Sequence, residues 1–190
     1  MTNHSAEDAE DWRNHFLLHL YDKIWDSIDR AESGVWQFVA FYAVVAVLVL
    51  GASTGTLDAT AGTVLALIVS FWGMNVAINA GKWVNRNLMF AVNIEKQFLY
   101  QDDPGRILPT SYHKRKPRTL NWLNATHFVA FVAIALLSMH LGWPTSWCSA
   151  FWLFGTLIVA SGFTACHFFG ARAEVRAFVQ QTDPDLPIAG

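Results

Sequence analysis

The chain has 190 residues, is 53% hydrophobic, and sets 13 Lys and Arg against 15 Asp and Glu for a formal net charge of −2. One domain fits that length, and the lack of a basic excess argues against a nucleic-acid protein of the usual cationic kind. The charges are segregated. None stands between Glu32 and Asp58, between Asp58 and Lys82, or between Arg118 and Arg172, which disfavours a soluble bundle, whose helices each need a wet face, and points to a membrane protein.

Residues 1–33 read as a cytoplasmic segment. The opening "MTNHSAEDAE" is polar and is expected to be mobile. From Trp12 to Glu32 the pattern turns helical, with Leu17, Leu20, Tyr21, Ile24, Trp25 and Ile28 on one face and His15, His19, Asp22, Asp26, Asp29 and Arg30 on the other. That polar face is more acidic than basic, so packing against another cytoplasmic helix suits it better than lying on anionic lipid. His15 and His19 stand at i, i+4 with Asp22 and Asp26 on the same face, a metal-ligand spacing, but no HExxH or carboxylate pattern specifies a site and a solvated face is expected. The acid-rich flank is wrong for a signal peptide, so the first apolar run is expected to be a retained anchor.

Residues 34–171 read as a membrane domain with four spans: Val35–Ala52, Gly62–Val84, Ala125–Gly142 and Trp147–Ala171. Each approaches or exceeds the roughly 20 apolar residues that a crossing requires. The turn "GWPTSW", with Pro144, divides the last two. The second span carries no strong breaker until "DDPG", Asp102 to Gly105. A helix from Gly62 to Tyr100 is about 58 Å long at 1.5 Å per residue, and a bilayer core takes about 30 Å of it. The remainder projects as a cytoplasmic stalk, and residues 85–121 hold that stalk and a basic loop. Residues 172–190 form a cytoplasmic tail with a short helix from Arg172 to Gln181. All 13 Lys and Arg fall on one side of such a topology, and the opposite loops, Gly51–Ala61 and Gly142–Ser146, hold none. The positive-inside rule then puts both termini and the middle loop in the cytoplasm. Cys148 and Cys166 sit about 27 Å apart along one helix, too far to pair within the chain.

The second span and its stalk carry a polar seam. Asn75, Asn79, Lys82, Arg86, Asn93 and Gln97 fall in one sector at 100° per residue. Asparagines in an apolar helix either bond to a neighbouring helix of the same subunit or face a water-filled axis or subunit interface. Their continuation through Lys82 and Arg86 favours one shared polar environment, an axis lined by several copies. Glu95 lies one stalk-length further on and is a candidate partner for Arg86 of a neighbour, or else a solvated charge. In "YHKRKPR", the cations Lys114, Arg115, Lys116 and Arg118 read as a cluster for anionic headgroups at the inner leaflet. His127 and His167 fall at similar depth on antiparallel helices, which keeps a bis-histidine haem or metal site as an alternative to ordinary interfacial histidines. No nucleophile–base pair, phosphate-binding glycine loop or intramembrane carboxylate is present, so neither enzyme activity nor a cofactor is expected.

The stretch "NRNLMFAVNIEKQFL" after a hydrophobic span, followed by "ILPTSYHKRKPR" before another, resembles the RipA family of small bacterial membrane proteins. The likeness covers Gly81 to Arg118. It implies a homo-oligomer, octameric in that family, with cytoplasmic termini. The family is related in plan to octameric membrane accessories of antiviral CRISPR systems. The resulting expectation is an all-α, multi-pass protein of the bacterial inner membrane that contacts lipid and other copies of itself, pore-like or membrane-perturbing in stress or defence. A small redox membrane protein and a scaffold recruiting a cytoplasmic protein partner are the alternatives.

Overall fold

The computed structural model describes residues 4–98 and 120–182, and among these the chain is all α. Five helices follow in order: α1 (His4–Ser33), α2 (Val35–Ser53), α3 (Ala59–Phe98), α4 (Trp122–Leu141) and α5 (Trp147–Thr182). Their starts are set by local chemistry. The Asp58 carboxylate accepts from Ala61 N–H at 2.9 Å and opens α3. Asn121 accepts from Asn124 N–H at 2.8 Å and opens α4, and the Ser146 hydroxyl accepts from Ser149 N–H at 3.2 Å and opens α5. Each satisfies a backbone donor that the first helical turn leaves without a partner. Between α2 and α3 the chain reverses through Gly55, whose φ of 72° is open to glycine at no cost. Four helical stretches, containing α2, α3, α4 and α5, are long and apolar enough to cross a membrane.

The architecture is organised around α3. The other four helices all pack on it, and α2 also meets α4 through a few aromatic side chains. Two cores result, one at each end of a 40-residue helix. In the apolar half, Leu67, Met74 and Ala77 of α3 meet Phe38 of α2, Phe131 and Ala135 of α4, and Leu153 of α5. In the other half, Ala91 and Ile94 of α3 meet Ile24 and Ile28 of α1, flanked by Leu17, Tyr21, Trp25, Leu88 and Phe90. Asn87 Nδ2 donates to Ser27 Oγ at 3.0 Å across this second contact. The expected packing of α1 against another helix is therefore present, with α3 as that helix, and its apolar face is the expected one apart from Leu20, which is left exposed. His15, His19, Asp22, Asp26, Asp29 and Arg30 form the exposed face.

Two expectations are corrected, and a third lies beyond the described residues. The N-terminal helix begins at His4, ahead of the expected Trp12, since the polar opening contains no breaker and is rich in alanine and acids that suit a first turn. The tail helix Arg172–Gln181 is the unbroken end of the 36-residue α5. Glycine at 170 does not break it, because flanking alanines and long side chains favour helix. α3 ends its described length at Phe98, and the basic loop with Lys114, Arg115, Lys116 and Arg118 lies outside the described residues.

Helix α4 approaches α3 closely at Gly73. A side-chain carbon there would overlap the Phe131 ring, itself fully buried. Gly73→Leu should displace Phe131 and destabilise the fold by about 1–3 kcal/mol, the usual cost of overpacking. Thermal unfolding followed by circular dichroism in detergent checks this, and an unchanged midpoint would mean that Phe131 is not seated on Gly73.

Candidate functional site

The polar seam of α3 faces α5. Asn75 is the most constrained member. Its amide nitrogen donates to the Phe71 carbonyl and to Thr164 Oγ, both at 2.8 Å. That fixes the orientation of the amide and leaves Oδ1 for His167, whose Nδ1–H donates to it at 2.5 Å. The other imidazole nitrogen, Nε2, lies 3.2 Å from the Asn79 side-chain oxygen. A neutral imidazole carrying its hydrogen on Nδ1 is an acceptor at Nε2, so Asn79 then presents its amide nitrogen. A protonated imidazole donates to both asparagine oxygens. One turn on, Lys82 pairs with Glu174 at 2.5 Å. The Arg86 guanidinium stands over three rings, Trp83 at 5.3 Å, Phe90 at 5.7 Å and Phe178 at 5.5 Å, inside the range where cations are attracted to aromatic faces.

The seam residues Asn75, Asn79, Lys82 and Arg86 are thus brought together, and their partners belong to the same chain. Within the chain this stretch faces α5, because an amide in an apolar segment takes a polar partner within reach and Thr164 and His167 supply one. Asn93 is half-buried further along α3. The side chains of Glu95 and Gln97 lie outside the described residues, so the pairing of Arg86 with Glu95 does too.

His127 and His167 engage different helices. His127 Nδ1 lies 2.8 Å from Tyr42 Oη, and its ring stacks on Phe38 at 4.0 Å between centroids. Both contacts are to α2, whereas His167 bonds to α3. No group of three His, Cys, Asp or Glu side chains able to hold a metal occurs among the described residues. The two imidazoles serve separate hydrogen-bond networks, His127 with Tyr42 and His167 with Asn75 and Asn79.

A furrow runs beside the seam between α3 and α5. Its apolar part encloses about 1020 Å³, with Phe71, Trp72, Trp152 and Phe163 among its walls and Asn75, Asn79 and His167 at one end. A second hollow of about 350 Å³ follows, bounded by Lys82, Trp83, Arg86, Glu174 and Phe178. The α5 residues Thr164, Glu174 and Phe178 were not singled out from the sequence. The signal was present in their spacing, since Thr164, His167, Glu174 and Phe178 share one side of α5 at 100° per residue.

Removing either side of the Asn75–His167 bond leaves a polar group without its partner in an apolar setting. A double-mutant cycle of Asn75→Ala and His167→Ala should show a coupling of about 0.6–1.7 kcal/mol, as for other hydrogen bonds between apolar helices. Stability in detergent measures it, and strictly additive effects would refute the contact.

No family model matches the chain, and no solved structure matches it. A curated relative, an uncharacterised protein of Methanocaldococcus jannaschii, is 26% identical over 168 residues, covering 80% of this chain and 45% of the relative. The chain therefore spans about half the length of the curated relative it matches.

Proposed function

We propose that the chain is a multi-pass membrane protein, with both termini and the α1–α3 stalk in the cytoplasm of a bacterial cell, and that it works as a homo-oligomer. Support for the bilayer placement comes from the four apolar helices and from the cations, none of which lies in the segments joining α2 to α3 or α4 to α5. The homo-oligomer reading is carried by one observation. Trp12 and Phe16 stack at 5.6 Å on a face of α1 beside the one that covers α3, and they are 70% and 51% exposed. Exposed rings on the spans meet lipid, which is no less apolar than they are. Rings on a stalk in water favour burial against another surface, and neighbouring stalks in an assembly provide one.

The RipA resemblance adds the octamer, and with it a role in stress or antiviral defence in which the assembly perturbs the membrane. In this chain Asn75, Asn79 and Lys82 are engaged with α5, and the proposed lumen is lined by other faces of the spans. The redox alternative has no comparable support, since His127 and His167 bond to separate helices.

Two measurements test the proposal. Reporters fused after Gly190 and within residues 105–111 should both be active in the cytoplasm, and a periplasmic signal from either would refute the placement. The parent purified in mild detergent should be a multimer, and Trp12→Ala combined with Phe16→Ala should shift it to smaller species while helix content is kept. A parent that migrates as a single chain would sink the homo-oligomer.

A further inference from the structure

We propose that the furrow between α3 and α5 is a binding site for an anionic phospholipid of the cytoplasmic leaflet, held with its acyl chains against the apolar walls and its phosphate at Arg86. The inference rests on the reading that α3 and α5 cross the membrane, and goes beyond it.

The first observation is that one side of α3 borders both hollows in turn. Ile68, Trp72, Asn75 and Asn79 border the large apolar one, and Lys82 and Arg86 border the smaller hollow. These follow one another at steps of three and four residues, so they share one side of an unbroken helix. The second observation is where polarity changes. From Ile68 to Asn79 is about 16 Å at 1.5 Å per residue, close to the roughly 15 Å of one leaflet of a 30 Å hydrocarbon core. From Asn79 to Arg86 is about 10 Å more, which reaches the headgroup layer, where core plus headgroups total about 40–45 Å. The furrow is apolar for the depth of acyl chains, offers an amide and an imidazole at the depth of the ester groups, and is cationic at the depth of a phosphate.

The third observation is charge. Lys82 is neutralised by Glu174. Arg86 belongs to neither of the two ion pairs among the described residues, Lys23–Asp26 and Lys82–Glu174. Three rings hold its guanidinium instead. A guanidinium held by ring faces and not by a carboxylate keeps its N–H fork for a further acceptor, and that fork matches two phosphate oxygens. The hollow around it therefore carries one net positive charge, which suits an anionic headgroup over a zwitterionic one. The neighbouring hollow of about 1020 Å³ has walls of Phe, Trp and Val, which suit acyl chains and which a small soluble phosphate alone would leave uncovered.

The test uses the full chain in detergent with added phosphatidylglycerol or phosphatidylcholine, and counts retained lipids by native mass spectrometry. The parent should retain phosphatidylglycerol at least threefold over phosphatidylcholine. Arg86→Gln should remove that preference while still retaining lipid, and Ala160→Trp, which fills the apolar furrow, should lower retention of both. Arg86 is exposed, so its replacement decides the matter even where the tryptophan variant misfolds. Equal retention of the two lipids by the parent, an unchanged preference in Arg86→Gln, or displacement of phosphatidylglycerol by inorganic phosphate would each overturn the site. A second copy seated in the furrow would show as lipid-free chains whose multimer is broken by Ala160→Trp, and would overturn it too. Recovery of soluble chain without detergent would instead overturn the membrane reading, which keeps the two failures apart.

Discussion

An amide in an apolar helix must be given a partner, and the position of α5 depends on that requirement. Leaving Asn75 bare would cost several kcal/mol in hydrocarbon. Thr164 and His167 meet it from α5, with Asn79 on the far side of the imidazole. Apolar contacts alone leave two such helices free to slide and rotate, because one aliphatic neighbour is nearly as good as another. The Asn75–Thr164–His167 network removes that freedom and sets the register in which Lys82 finds Glu174 and Arg86 finds Phe178. The aromatic clamp and the furrow are consequences of the same register.

The remaining helices divide the surface of α3 among them. Phe131 of α4 closes on Gly73 and covers one side. Phe38 of α2 reaches the same core from another, and its ring carries His127 stacked on it while Tyr42 bonds the imidazole. Beyond the apolar half, α1 takes over with Ile24 and Ile28. Each flanking helix buries a narrow stripe and leaves the rest bare, an arrangement that suits a solvent of hydrocarbon far better than water.

The helices were largely legible because charge is expensive in an apolar phase, and its absence over long stretches marks the four helices apolar enough to cross a membrane. Amphipathic spacing likewise showed that α1 would pack on a helix through Ile24 and Ile28. The seam was visible as a face of α3, but periodicity gives the direction of a face and says nothing about what stands opposite. Thr164 and Glu174 are ordinary residues in α5 until Asn75 and Lys82 are known to face them. The two histidines invited pairing because depth is readable from sequence and rotation about the helix axis, across two helices, is not. The start of α1 was missed because a polar stretch was equated with a loose one, although it held no glycine or proline.

The two cores are carried by one unbroken helix. Leu67 and Met74 are set among α2, α4 and α5 at one end, while Ala91 and Ile94 lie under α1 at the other. A straight helix transmits rotation along its axis, so α3 cannot turn against α5 without also turning under α1. The two ends share a single angular setting. A ligand that binds one setting of the space between α3 and α5 better than another is therefore coupled to any partner that binds α1, and each changes the other's affinity by the same factor.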